Sequence, residues 1–250
     1  LGDKTSDHPQ SIFSTYSAGL KTGRDTWCYN FSSDVVAGNI QRLVGKYDKE
    51  RAKYQKALSS DPYAILDQIV DHDPKEISWN RGLKSDAAKN RDIEYSSTNL
   101  RRALYRPYCK SNVYFDRPLN DMVYRIPKLF PTDHHENLVI SVPGLGSRNG
   151  FSTFVTDCIP DLNHQEAGSQ CFPLYWYEKV QVTPVNQSVQ LFASTEQPDE
   201  HGYIRREAIT DWALQAFQKK YNDESISKRD IFWYVYGIFH SSEYKGRFES

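Results

Sequence analysis

DVVAGNIQRLVGKYDKERAKYQKAL, residues 34–58, is the stretch on which the fold turns. Val36, Ile40, Leu43, Val44, Tyr47, Tyr54 and Leu58 recur at the three- and four-residue spacing that lines one helix face with apolar groups. Ser32 and Ser33 stand just ahead of it, where a hydroxyl can accept a first-turn N–H. The pattern predicts one long amphipathic helix. Downstream, Asp61-Pro62 offers a cap and a first-turn proline for a shorter helix carrying Ile65, Leu66, Ile69 and Val70. Upstream, residues 13–31 read as a strand or loop followed by a glycine-bearing turn.

From 76 to 193 the texture changes to short runs of β-branched and aromatic residues bounded by Pro, Gly and Asn. Ile77-Ser78-Trp79, Val113-Tyr114-Phe115, 138–142 and 151–155 read as strands. A helix is predicted over about 97–104, capped by Ser96 or Ser97. No spacing fits a βαβ unit, which argues against a parallel doubly wound sheet. The C-terminal part is helical again. Thr210 caps a helix through Phe217 and Tyr221, Ser227 with Asp230 resembles a capping box ahead of 231–239, and a last segment runs from Ser241. The expected fold is α+β: a β-rich mixed or antiparallel centre flanked by N-terminal and C-terminal helices. It is read as a single domain over 1–250, with a helical part at about 33–74, a β-rich part at about 76–193 and a C-terminal helical part at about 208–250.

The 250 residues suffice for a sizeable core. Aromatic residues make up 14%, against the composition of disorder. The net charge of -1 excludes a uniformly basic nucleic-acid coat, but the charges are segregated. Residues 75–130 hold twelve Lys and Arg against six acids, whereas 131–202 hold two against nine. This predicts one basic and one acidic face. No apolar run approaches the ~20 residues of a membrane helix, and the first ten residues are unlike a signal peptide. A start at Leu1 and a single methionine, Met122, give the chain the look of a piece of something longer. Cys28, Cys109, Cys158 and Cys171 are scattered, as reduced thiols of a cytoplasmic protein would be.

Catalytic signatures are missing. There is no GxxxxGK[ST] phosphate loop, no GxSxG elbow, no HExxH and no Asn-Pro-Pro-Tyr. GLGSRNG (144–150) reads as a backbone turn, and His134 and His135 as surface histidines. Asp199 with Glu243-Tyr244-Lys245 makes only a forced nuclease pattern. The Asn30-Phe31-Ser32 and Asn186-Gln187-Ser188 sequons carry no weight without a secretion signal.

Four clusters interleave cations with aromatic and small residues. They hold Lys21, Thr22 and Arg24; Arg81 and Lys84; Arg101, Arg102, Arg106 and Arg117; and Ser147 with Arg148. Arg125 adds to the third. Arg pairs bidentately with guanine edges and phosphate, while Lys, Ser and Thr serve phosphate oxygens. These are the candidate DNA-binding residues. No residue is assigned a catalytic or metal-ligating role.

The same stretches carry a family resemblance. "GLKTGRDTWCYNFS", "ISWNRGLKSD", "LRRALYRPYCKSNVYFDRPLNDMVYRIPKLFP", "NLVISVPGLGSRNGFSTFVTDCIPDL", "GSQCFPLYWY" and "ITDWALQAFQKKYNDESISKRDIFWYVYGIFHSSEYKGRF" resemble, in order and spacing over about 13–248, the C-terminal target-recognition domain of Type ISP restriction-modification enzymes. The resemblance implies a prokaryotic, cytoplasmic polypeptide that joins nuclease, helicase-like ATPase, N6-adenine methyltransferase and recognition domains. It implies that this part reads double-stranded DNA and positions the target adenine. It places S-adenosylmethionine, ATP and Mg in the parent enzyme and no cofactor in this part. The alternative is an interaction scaffold that docks on the methyltransferase and helicase parts with little DNA contact.

Overall fold

A computed structural model describes residues 10–180 and 197–248. The end of the expected β-rich part beyond 180, the 186–188 sequon and the last two residues of the C-terminal segment lie outside the described residues. In chain order the elements are β1 (Ser17–Ala18), α1 (Asp25–Cys28), β2 (Tyr29–Asn30), α2 (Ser33–Ser60), α3 (Leu66–Ile69), α4 (Arg81–Ala88), β3 (Leu100–Arg106) and β4 (Cys109–Tyr114). They continue with α5 (Ile126–Leu129), β5 (Val139–Val142), β6 (Phe154–Thr156), β7 (Ile159–Pro160), β8 (Gln170–Pro173), β9 (Tyr175–Lys179), β10 (Tyr203–Glu207), α6 (Asp211–Tyr221), α7 (Lys228–His240) and α8 (Ser242–Phe248). The fold is α+β, with antiparallel and mixed sheets.

Two units are built from interleaved segments. One combines Gly19–Tyr124 with Cys158–Ser169; the other combines Leu1–Ala18, Arg125–Asp157 and Gln170–Ser250. The division cuts across the three sequence-order parts, since the β-rich part is shared between both units.

In the unit containing Gly19–Tyr124, α2 forms as its periodicity requires. Ser32 accepts the Val35 N–H at 3.4 Å. Val36, Ile40, Leu43 and Tyr47 are fully buried beside Trp27, Ile77, Leu83 and Tyr114. The helix ends where Asp61, just before Pro62, turns extended, because proline disfavours helical backbone in the residue before it. The sheet runs β2-β4-β3-β7, with β7 parallel to β3 and the other pairs antiparallel.

Three expected elements are corrected here. The helix expected to open at Asp61-Pro62 is the single turn Leu66–Ile69 with Ile65 at its N-cap; Asp61 instead closes α2 and begins a tight turn in which the Ala64 N–H donates to its carbonyl at 3.0 Å. Residues 97–99 make one 3-10 turn, and 100–106 are strand, not helix. LRRALYR is rich in good helix formers, but hydrogen bonding to β4 overrides propensity. Ile77-Ser78-Trp79 is not a strand. Ile77 is buried in the core around α2, Trp79 donates its indole N–H to the Asp71 carbonyl at 2.7 Å, and Asn80 caps α4 by accepting the Leu83 N–H at 2.8 Å.

The other unit holds the antiparallel sheet β1-β8-β5-β6 and the β9–β10 hairpin. Its core joins Phe13, Ile140, Val142, Phe172 and Leu174 to Ile231, Phe232, Val235 and Phe239 of α7. β5 is buried at all four positions, Ser141 included, which explains why its sequence lacks the apolar–polar alternation of a half-exposed strand. Thr210 caps α6, and Ser227 with Asp230 forms the capping box of α7, as read from the sequence. No helix among the described residues is long and apolar enough to cross a membrane.

Candidate nucleic-acid interface

The candidate site grows from three backbone segments of the first unit. Leu20 N–H donates to the Pro160 carbonyl at 2.8 Å, Leu162 N–H donates back to Leu20 at 2.7 Å, and Lys21 exchanges backbone bonds with Met122. Residues 20–25 are thereby held between the 121–122 and 159–162 segments. Asp25, the first residue of α1, becomes a hub. It accepts from the Thr22 hydroxyl in a short bond and from the Tyr105 phenol at 3.2 Å, and lies 3.8 Å from the Arg106 guanidinium. Arg106 stacks over the Tyr105 ring at 3.9 Å and pairs with Asp161 at 3.0 Å. The Tyr29 phenol donates to the other Asp161 oxygen at 3.0 Å. Burial raises the Tyr29 and Tyr105 phenols, so both stay protonated as donors.

Burial also pushes the Asp161 carboxyl up to about 6, although Asn163, Tyr29 and Arg106 pull it back. Beside it, burial pushes His164 down to about 4; its Nδ1 lies 2.7 Å from the Asp161 carbonyl oxygen and 2.8 Å from the Ser169 hydroxyl. The raised carboxyl means that the folded chain binds this proton more tightly than the unfolded one. Its contribution to stability is present below the ordinary value of 3.8 and is lost as pH rises through about 6. The lowered imidazole works the other way: its contribution is present above 6.5 and is lost as pH falls through about 4. The two slopes oppose each other across the same window. Asp161→Asn is therefore expected to leave a chain whose stability rises from pH 4 to 6 relative to the wild type, by at most about 1.4 kcal/mol per pH unit. His164→Gln is expected to tilt the profile the opposite way. Urea unfolding at three pH values checks this; parallel profiles for all three proteins would refute the assignment.

The residues predicted from sequence fall into distinct settings. Lys21 pairs with Asp121 at 2.7 Å and Lys84 with Asp67 at 2.6 Å, so both cations are already matched within the chain. Thr22 and Arg24 are buried, so neither offers its side chain to a duplex. Arg101 is half-buried on β3. Arg102 is exposed and donates to the Asn112 side-chain oxygen across the hairpin at 3.3 Å, while the Asn112 amide N–H donates to the Phe31 carbonyl at 2.7 Å. Arg81, at the start of α4, and Arg117 are exposed. Arg125, Ser147 and Arg148 belong to the other unit. Arg125 is exposed and donates to the Thr15 hydroxyl at 3.2 Å, and Ser147 and Arg148 lie in a turn in which Ser147 N–H donates to the Gly144 carbonyl.

Sequence reasoning missed Asp25, Tyr29 and Asp161 as organisers. By sequence position Asp161 counts with the acidic segment 131–202; instead, the 158–169 segment joins the unit of Gly19–Tyr124 and sets that carboxylate against Arg106. The Pro160-Asp161 step within a β-textured run was its only signal. His135 is also corrected. It is buried, with Nδ1 2.6 Å from the Thr132 hydroxyl and Nε2 2.9 Å from Asp199, whereas His134 is exposed. Among the described residues no group of three or more His, Cys, Asp or Glu is disposed to hold a metal ion.

Three solved structures share this architecture. The DrdV–DNA complex is 29% identical, with a TM-score of 0.77, and the match covers 99% of this chain and 22% of that one. The Type ISP enzyme LlaBIII bound to DNA is 28% identical, with a TM-score of 0.74, covering 98% and 14%. A nuclease-deletion mutant of the Type ISP enzyme LlaGI with a DNA substrate mimic is 26% identical, with a TM-score of 0.72, covering 100% and 21%. The chain spans about a fifth or less of each of these structures. No curated protein matches it. The architecture is thus that of one domain of large restriction-modification enzymes. More narrowly, the chain belongs to the Type ISP C-terminal specificity domain family, whose model matches residues 11–250.

Proposed function

We propose that this chain reads a specific duplex DNA sequence for a larger restriction-modification polypeptide, holding the target adenine in register for the methyltransferase part and doing no chemistry itself. The observation that carries this reading is its likeness, over nearly its whole length, to chains solved with DNA. In this reading S-adenosylmethionine, ATP and Mg serve the other parts of the polypeptide. Exposed cations such as Arg81 and Arg117 would hold phosphates and set register. Arg102, exposed on β3, presents the side-chain type that reads guanine edges bidentately, and Asn112 holds it in place across the hairpin. Lys21, Lys84 and Arg106 act indirectly, as matched cations that stiffen the surface.

A second reading is favoured by Tyr221 of α6 and Tyr234 of α7, exposed aromatic residues that pack edge to face and share a hydroxyl hydrogen bond at 3.2 Å. Such a face suits docking on the methyltransferase or helicase parts.

Fluorescence anisotropy with mixed-sequence duplex DNA tests the first reading. Affinity is expected to fall about tenfold or more between 50 and 200 mM salt as counterions are released. Arg81→Ala should weaken all sequences alike and flatten the salt slope by about one; Arg102→Ala should relax specificity at one base pair. If neither the chain nor the polypeptide carrying it binds DNA at low salt, the docking reading takes its place.

A further inference from the structure

The β3–β4 hairpin closes through a two-residue turn, Pro107-Tyr108, between the paired residues Arg106 and Cys109. Proline presets φ at the first turn position. Tyr108 at the second has φ +60°. A positive φ there is the mark of a type II turn, a place that glycine or asparagine fills without steric cost. Tyrosine strains the backbone at this position. Its ring recovers little by burial, since at 90% exposure it is the most exposed large hydrophobic side chain among the described residues.

The stem beneath it is stiff. β3 and β4 pair from Leu100–Tyr114 out to Arg106–Cys109. At the tip end, Arg106 is stacked on Tyr105 and clamped to Asp161, and Tyr105 is tied to Asp25. The hairpin is also uniformly basic: residues 100–115 contain Arg101, Arg102, Arg106 and Lys110 and no acid. A stiff ribbon that carries Arg101, Arg102 and Lys110 besides the matched Arg106, with one highly exposed aromatic ring at its end, suits the chemistry of a stacked polyanion. The cations draw in the phosphates, and the ring finds a base face to stack on.

We propose that Tyr108 is the wedge of this domain, its ring entering the base stack of bound duplex DNA and partly unstacking one base step. This rests on the DNA-recognition reading above. The wedge would deform the duplex and make affinity depend on how easily that step opens, a source of specificity at base pairs no polar side chain touches.

The test uses the 250-residue chain and, in parallel, the polypeptide that carries it. The wild type first selects its site from a randomised duplex pool. 2-Aminopurine then replaces successive bases of that site, and its fluorescence reports unstacking. The expected result is a fluorescence rise at one step with the wild type and none with Tyr108→Gly, which should bind about tenfold more weakly while melting at a higher temperature because the turn strain is relieved. Tyr108→Phe should keep both the affinity and the fluorescence rise, since the ring and not the hydroxyl stacks. Equal binding and equal fluorescence for the wild type and Tyr108→Gly overturn the wedge and leave DNA recognition standing. Loss of binding in Tyr108→Phe overturns it too, by assigning the role to the hydroxyl. Failure of the wild type to bind any duplex, alone or within the polypeptide, overturns the recognition reading itself and the wedge with it.

Discussion

Gly19→Ala is expected to lose about 3 kcal/mol of stability, an overpacking cost at the upper end of the usual range. A Cβ at this position would sit 2.5 Å from the Asp161 carbonyl oxygen, 2.6 Å from its carbon and 2.7 Å from the Leu162 nitrogen. All three are backbone atoms, so no side chain can swing aside. The segment cannot drift either. Gly19 N–H donates to Ser169 at 3.1 Å, and Leu20 exchanges hydrogen bonds with Pro160 and Leu162. Making room means breaking that ladder and carrying the Asp161 carboxylate away from Arg106 and Tyr29. The variant should therefore also loosen the base of the β3–β4 hairpin. Gly38→Ala is the control. It lies on the exposed face of α2 with nothing within 4 Å of its Cβ site, and helix propensity predicts a gain of about 1 kcal/mol. Urea unfolding of both variants decides the matter. A Gly19→Ala chain within about 0.5 kcal/mol of the wild type would mean that the close approach is not a real constraint.

Arg24→Met is expected to do the reverse and stabilise the chain by about 1–4 kcal/mol, the range seen when buried ionic groups give way to apolar ones. Arg24 is only 4% exposed. None of its three guanidinium nitrogens has a hydrogen-bond partner among the described residues, and burial lowers its pKa. Asp121, the nearby carboxylate, is already engaged by Lys21 at 2.7 Å. A buried cation without hydrogen bonds carries most of its desolvation cost uncompensated. Methionine is similarly long and flexible, and the Arg24 backbone N–H keeps its bond to the Thr22 hydroxyl. A destabilised Arg24→Met chain would refute this account. The same variant also separates burial from surface function. A phosphate contact at Arg24 would make the DNA salt slope shallower by about one, and its burial predicts no change.

Much of the fold was legible because its signals are local. The period of 34–58 and the Ser32, Thr210 and Ser227 caps each depend on residues within a few positions, and each appears where the sequence puts it. The misread elements are those settled by distant partners. LRRALYR has the composition of a helix and becomes a strand because β4 pairs along it. Trp79, read as the end of the strand Ile77-Ser78-Trp79, is instead a side-chain anchor, and Asn80 after it is a helix cap.

The candidate site divides the same way. By itself, the sequence determined the α+β class, the long helix and its caps, the basic composition of the 100–115 hairpin and the family resemblance. Only the tertiary structure decided which cations meet solvent. Arg106 and Asp161 are 55 positions apart, and Tyr29 and Asp161 are 132 apart. A charge's surroundings are set by whichever chain segments close around it, so Lys21, Lys84 and Arg106 are matched, Arg24 is buried and Arg102 is left on the surface. Local periodicity has no term for that, because burial and ion pairing are properties of the packed chain.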